Sequence, residues 1–126
     1  MKKATRNWID GAKYDLKTAR GIFKSGRNVY SVFMCHLAVE KMLKARITEV
    51  ADEMPPKSHD LLFLLRLSGL EAPKENQVIL QKLSGLSVPI RYSDDFRSIH
   101  QSYTRKEIKA IIDKTGKMLR WLEKQI

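Results

Sequence analysis

Cysteine and long apolar runs are scarce in this sequence of 126 residues. The single cysteine, Cys35, cannot form an intramolecular disulfide and implies no oxidising compartment. No run of about 18 apolar residues occurs, so no segment is predicted to span a membrane. The basic start at Met1–Lys3 is not followed by an apolar run of signal-peptide length. We therefore expect a cytoplasmic protein.

The motifs of several enzyme classes are also missing. The sequence has no glycine-rich phosphate loop and no GxGxxG pattern. Zinc sites need clustered ligands, and here one cysteine accompanies three dispersed histidines. Cys35 stands beside His36, but nothing else supports a thiolate nucleophile, and a small buried thiol is the simpler interpretation. The sequence predicts neither a metal site nor a cofactor.

Positive charge is present in excess, since 24 Lys and Arg residues against 14 Asp and Glu give a net charge of +10. Residues 1–27 carry a net charge of +6 and residues 104–126 a net charge of +4, whereas residues 28–103 are neutral. A polyanion would be attracted to the two terminal segments. The alternative is a lysine-rich surface that only keeps the protein soluble.

Apolar residues recur at helical spacing along most of the chain. The predicted helices cover residues 5–25, 29–50, 59–70 and 74–86, and a last helix follows a capping box at Thr104 and Glu107. No strand pattern of any length occurs. The sequence predicts one domain over residues 1–126 with an all-α fold, an antiparallel up-and-down four-helix bundle with a short additional helix.

The first helix has a basic flank about 120° from its apolar stripe. Its residues are candidates for contacts with phosphate or RNA, and they are Lys13, Lys17, Arg20 and Lys24. Trp8 is in line with the apolar stripe, so we predict that it packs in the core rather than stacking on a base.

Two polar residues, His36 and Glu40, interrupt the apolar face of the second helix. They are four residues apart, so their side chains can meet. Because unpaired burial would be costly, we expect partners from Lys41, Arg91 or His59. A general acid/base pair, a phosphate-site organiser and a structural polar cluster remain open.

The loop before the third helix ends in polar residues. Ser58 is the predicted N-cap, which places His59 and Asp60 in the first turn. Free amides there suit an anion, but a capping role for Asp60 is the simpler interpretation.

Residues 87–103 are predicted to be a polar connection, and long connections inside compact domains are often functional. Its charged and titratable residues include Arg91, Asp94, Arg97 and His100. Histidine can move a 2′-hydroxyl proton near neutral pH, and arginine can stabilise a phosphorane, so Arg91 with His100 suits metal-independent RNA cleavage. Arg91, Asp94 and Arg97 are also candidate phosphate contacts. A loop held by salt bridges is the alternative.

Several segments resemble HEPN domains. His36–Ala45 resembles the signature of the second HEPN helix, and Trp8–Ala19 matches the first. Pro56–Leu61 resembles the loop into the third helix. Arg91–Asp94 resembles the family's Arg-Tyr-Pro-Asp, with serine in the proline position. The resemblance is strongest over residues 8–122.

The resemblance implies an antiparallel four-helix bundle that is often dimeric. Small HEPN proteins are commonly encoded beside a minimal nucleotidyltransferase, and the two resemble a toxin–antitoxin pair. Active members are metal-independent endoribonucleases, in which four to six residues separate the arginine from the histidine. Eight residues separate Arg91 from His100 here, so this spacing is not matched. Arg91 and Asp94 correspond to the family's polar position.

We therefore expect a homodimeric protein that binds RNA or nucleotides, with the role of an endoribonuclease toxin held in check by a nucleotidyltransferase partner. The alternative is a non-catalytic dimeric interaction module that binds such a partner. A membrane-surface role for the basic helices is a third and weaker option, and we expect no membrane partner.

Overall fold

The computed structural model describes residues 1–91 and 103–126, except for the side chains of residues 87–91. These ranges contain five helices and no strand, which confirms the all-α prediction. The helices are α1 (Lys3–Lys24), α2 (Asn28–Val50), α3 (Leu61–Ser68), α4 (Lys74–Arg91) and α5 (Arg105–Lys124). Four long helices and the short α3 correspond to the predicted bundle with one short additional helix.

α1 and α2 form an antiparallel hairpin. Gly26 lies in the turn between them with a φ of 88°, a left-handed conformation that glycine adopts without strain. Near the start of α1, Lys2 Nζ donates a hydrogen bond to the carbonyl oxygen of Thr48 at 2.9 Å. Farther along, Asp15 Oδ2 lies 2.7 Å from Lys41 Nζ. Residue numbers that increase along α1 are thus matched by residue numbers that decrease along α2, as expected for antiparallel helices.

α5 packs against another flank of α1, also in antiparallel orientation. Lys13 Nζ lies 2.8 Å from Glu123 Oε2, near the end of α5. Arg20 Nη1 lies 3.2 Å from Asp113 Oδ1, near its middle. The first and the last helix of the bundle are therefore direct neighbours.

The boundaries of α3 differ from the sequence prediction at both ends. The N-cap is Asp60 rather than Ser58, and its Oδ1 accepts hydrogen bonds from the N–H groups of Leu62 and Phe63 at 3.1 and 3.2 Å. An aspartate that accepts hydrogen bonds from two free backbone N–H groups is a strong cap, so the capping interpretation of Asp60 is confirmed. At the other end Gly69, with a φ of 72°, stops the helix.

α4 extends beyond its predicted end at residue 86 and reaches Arg91. Pro89 lies within the last turn. Its fixed φ near −65° is compatible with a helix, although proline at such a position generally costs a backbone donor and a steric clash with the carbonyl group four residues earlier. The first residues of the connection predicted over residues 87–103 therefore belong to α4.

The predicted capping box at the start of α5 is confirmed. Thr104 Oγ1 accepts a hydrogen bond from the N–H group of Glu107 at 3.1 Å, and Glu107 Oε1 accepts one from the N–H group of Thr104 at 3.1 Å. The hydrogen bond from the Thr104 backbone holds the pKa of Glu107 below its usual range. Position and direction of α5 are thus fixed at its first residue.

The core is continuous across the helices, and it draws on all five. Its largest fully buried apolar side chains include Met42, Leu43, Leu61, Leu64, Leu80, Leu83, Ile108, Ile112, Met118 and Leu122. Trp8 is half-buried and packs against this core, as predicted. Full burial of one such aliphatic side chain contributes about 1.5–3 kcal/mol, so the core dominates the stability of the bundle.

Candidate functional site

The basic flank of α1 lies beside α5, so the two basic terminal segments form one surface. We call this surface the cationic face and define it by the residues of both helices that border their contact. Its cationic residues are Lys13, Lys17, Arg20, Lys24, Arg105, Lys109 and Arg120, the last of which lies beside Arg20 at Gly116. Lys17 and Lys24 are exposed, and neither forms an ion pair with another described residue.

Two carboxylates neutralise part of the cationic face. Glu123 forms an ion pair with Lys13, whereas Asp113 forms ion pairs with two cations. Arg20 Nη1 donates to Asp113 Oδ1 at 3.2 Å, and Lys109 Nζ donates to Asp113 Oδ2 at 2.9 Å. The hydrogen bond from Lys109, followed by the one from Arg20, holds the pKa of Asp113 below its usual range. One carboxylate for two cations leaves a surplus of positive charge.

A depression of about 200 Å³ lies in the cationic face. It is lined by Arg20, Phe23, Lys24, Arg105, Lys109, Ile112 and Asp113. Four cations and one carboxylate thus surround a floor to which Phe23 and Ile112 contribute apolar surface. Charge and shape together suit a small anionic group that is part of a larger ligand.

Arg105 is held in place at one end of the depression. Its guanidinium carbon lies 3.9 Å from the centroid of the Phe23 ring, and its Nη1 donates a hydrogen bond to Asn28 Oδ1 at 3.0 Å. Stacking on an aromatic ring orients the planar guanidinium. Because a guanidinium has five N–H donors, others remain for an anion.

A glycine in α5 leaves room for the side chain of Arg20. A Cβ atom at Gly116 would lie 2.7 Å from Arg20 Nη2, which is too close. The absent side chain lets the guanidinium lie across α5 and reach Asp113. Gly116 is buried in the middle of a helix, where glycine costs about 1 kcal/mol relative to alanine.

The predicted polar cluster on α2 is centred on the carboxylate of Glu40, which is buried. His59 Nδ1 lies 2.9 Å from Glu40 Oε1, and His36 Nδ1 lies 3.9 Å from the same oxygen. Lys44 Nζ, also buried, donates to Glu40 Oε2 at 3.1 Å. Of the expected partners, His59 is present and Lys41 is not. The arrangement fits a structural polar cluster that ties the loop before α3 to α2.

Lys41 instead pairs with Asp15 of α1, which is buried, at 2.7 Å. Beside this pair, Lys44 Nζ lies 5.6 Å from the centroid of the Trp8 ring. Helical geometry places Asp15 on the flank of α1 opposite to the basic stripe. The Glu40 cluster and the cationic face are therefore separate sites.

Cys35 is fully buried, and burial raises its pKa to about 12. A hydrogen bond with Thr115 opposes this effect only in part. The thiol is protonated at neutral pH, because a thiolate forms only as the pH approaches the pKa. The interpretation of Cys35 as a small buried thiol is confirmed.

A chemical test of Cys35 follows from its burial. A thiol reagent such as dithionitrobenzoate should leave the native protein unmodified at mildly alkaline pH and should modify Cys35 rapidly after denaturation. Absorbance of the released thiolate measures both rates. Rapid modification of the native protein would mean that the thiol is accessible and contradict the buried position.

The predicted catalytic residues lie at the edge of the described chain or beyond it. Arg91 is the last residue of α4, and its side chain is outside the described set. Asp94, Arg97 and His100 lie in residues 92–102, outside the described residues. Their roles remain predictions.

Sequence reasoning missed three residues that the fold brings to the basic stripe of α1. Arg105 and Lys109 add positive charge, and Asp113 joins Lys109 to α1. The net charge of the last segment was a signal, but it did not identify the flank that meets α1.

Lys44 was missed at the Glu40 cluster, although its spacing of four residues from Glu40 indicates a contact on a helix.

Residues 1–91 and 103–126 contain no group of three or more His, Cys, Asp or Glu side chains placed to hold a metal ion. Within the same part of the chain, no helix is both long enough and apolar enough to cross a membrane.

The fold and the cationic face define a small, basic, all-α bundle protein with a candidate site for an anionic ligand. The chain belongs to the HEPN domain family, whose model matches residues 5–125. No protein with a curated description matches its sequence.

Two solved structures share the fold. The crystal structure of TT1696 from Thermus thermophilus is similar with a TM-score of 0.83 and 24% identity, covering 99% of this chain and 100% of that one. The structure of ST0689, an archaeal HEPN homologue, is similar with a TM-score of 0.68 and 22% identity, covering 99% and 98% of the two chains. At these identities the similarity concerns the fold alone.

Proposed function

We propose that this protein binds RNA through the cationic face. One observation carries the proposal: the two segments that hold the whole net charge of +10 belong to neighbouring antiparallel helices. A polyanion therefore meets both segments at one surface. Membership of the HEPN family favours RNA over DNA, because the resemblance to HEPN domains implies an RNA or nucleotide ligand.

The length of the basic stripe favours an oligonucleotide over a single nucleotide. With a rise of about 1.5 Å per residue, the stripe from Lys13 to Lys24 extends about 16 Å. A mononucleotide would contact only part of this length. A nucleic-acid strand carries one phosphate per nucleotide, so several phosphates can reach the stripe together.

RNA cleavage is the second part of the proposal. Arg91 would contact the scissile phosphate, and His100 would act as general acid or base, as the resemblance to HEPN ribonucleases implies. Cleavage that the wild-type chain performs without metal and that Arg91→Ala and His100→Ala both lose would support these roles. Equal cleavage by all three proteins would contradict them.

The assembly is a further part of the proposal. We propose a homodimer that associates with a nucleotidyltransferase, since the resemblance implies both. Light scattering on the purified chain measures its mass in solution, and a monomer would contradict the dimer. If the chain binds such a partner and no RNA, the non-catalytic interaction module becomes the better description.

Binding to RNA should depend strongly on salt. If about five cations of the face each contact a phosphate, the logarithm of the binding constant should fall with the logarithm of the salt concentration with a slope of about −3.5. Fluorescence anisotropy of a labelled single-stranded RNA between about 50 and 200 mM KCl measures this slope. Binding that does not respond to salt, or no binding at the lower concentration, would contradict the proposal.

A further inference from the structure

The Asp113 carboxylate lies in the depression between two cations, where an anionic ligand would also be attracted. Each of its oxygens accepts one hydrogen bond, from Arg20 Nη1 at 3.2 Å and from Lys109 Nζ at 2.9 Å. Arginine and lysine make the same charge-assisted hydrogen bonds to phosphate oxygens. The carboxylate therefore lies between one cation from each helix, in an arrangement that also suits a phosphate.

We propose that Arg20 and Lys109 form a binding site for one phosphodiester of the RNA backbone, and that Asp113 is an internal competitor which this phosphate displaces. The inference rests on the proposed RNA binding. It adds to that proposal the place at which one phosphate is bound, and it identifies Asp113 as a residue that lowers the affinity for RNA.

Displacement of Asp113 is feasible because its ion pairs are exposed. The side chains of Arg20 and Asp113 are 44% and 45% exposed, and water screens ion pairs of this kind, so each is weak. A phosphate that enters the depression gains both of these cations and also the nearby charges of Lys24 and Arg105. The carboxylate, once displaced, is solvated at the surface.

Parts of the depression do not depend on the carboxylate. Gly116 provides the space in which the Arg20 guanidinium lies, and this space does not depend on Asp113. Arg105 is oriented by Phe23 and Asn28 rather than by a carboxylate. A site whose donors are already ordered loses less entropy on binding.

The test compares Asp113→Asn with Glu123→Gln. Both variants remove one negative charge from α5 with little change in shape, but Glu123 pairs with Lys13 outside the depression. Fluorescence anisotropy of the full chain with a labelled single-stranded RNA measures the affinity. Because one competing charge inside the site is removed, Asp113→Asn should bind about fivefold more tightly, and Glu123→Gln should differ from wild type by less than about twofold. Circular dichroism checks that both variants fold.

A second probe distinguishes an RNA phosphodiester from free phosphate. Inorganic phosphate replaces KCl at equal ionic strength, and the gain in RNA affinity of Asp113→Asn should persist. A phosphodiester within RNA is held by neighbouring contacts as well, whereas free phosphate is not. Loss of the gain would mean that the site takes free phosphate, which overturns the inference.

The other outcomes separate the inference from the proposed function. Equal gains in RNA affinity for both variants would show an effect of net charge alone. Weaker RNA binding by Asp113→Asn would show that the carboxylate supports binding. Either result overturns the competitor role. If wild type binds RNA and Asp113→Asn shows no gain, only the inference fails. If neither protein binds RNA, both fail. Binding that appears only in Asp113→Asn supports the competitor role and contradicts RNA binding by the unmodified chain.

Discussion

Lys17→Glu combined with Lys24→Glu should weaken RNA binding about a hundredfold. Each substitution removes one attraction and adds one repulsion, and at about 0.7 kcal/mol for each of these four changes the loss is about 2.8 kcal/mol. Both lysines are exposed and form no ion pair with another described residue, so the fold should not be disturbed. Fluorescence anisotropy at low salt measures the loss.

The matched control is Lys57→Glu combined with Lys74→Glu. These lysines are also exposed, and they belong to the neutral middle of the sequence. The change in net charge is the same as in the first variant, so the two proteins differ only in where the charge is reversed. We expect less than about a threefold loss in the control, since only the long-range attraction is reduced. Equal losses would mean that net charge, rather than the cationic face, determines binding.

Glu40→Ala should destabilise the protein by about 3 kcal/mol, because it leaves the buried ammonium of Lys44 without its counterion. The substitution also removes the contact at 2.9 Å between Glu40 and His59, which holds the loop before α3. Chemical denaturation followed by circular dichroism measures the free energy of unfolding. RNA binding by the folded fraction should be unchanged, since the cluster and the cationic face lie on opposite flanks of α1.

The control for this variant is Glu40→Leu combined with Lys44→Met. Replacement of a whole buried ion pair by apolar residues of similar volume often leaves stability unchanged or raises it, so we expect the double variant to be within about 1 kcal/mol of wild type. If the double variant is as unstable as Glu40→Ala, the loss comes from packing or from His59 rather than from an unpaired charge.

Much of the fold could be predicted from the sequence because the signals are local. Helical spacing of apolar residues indicates a helix whatever its neighbours are, and the capping box of Thr104 and Glu107 involves residues three apart. Boundaries were harder to predict, since several residues can act at one position. Asp60 rather than Ser58 caps α3, and Pro89 does not end α4.

The candidate site was harder to predict, because it depends on which helices are neighbours. The basic stripe of α1 is visible in the sequence, but its meeting with Arg105 and Lys109 depends on the packing of α1 against α5. Likewise, no local pattern indicates that Asp113 pairs with Arg20. Helical spacing alone could have identified Lys44 as a partner of Glu40. Lys41, an expected partner of Glu40, instead forms an ion pair with Asp15 of α1.

The contacts across the cationic face join positions that are far apart in the chain. Arg20 and Asp113 are separated by 93 positions, and Asn28 and Arg105 by 77. Contacts of this kind form only after the intervening chain has been closed into a loop, which is entropically costly. A partly folded molecule, or a nascent chain whose residues 105–124 are not yet synthesised, carries only the α1 part of this surface. Affinity for RNA would thus be acquired together with the finished tertiary structure.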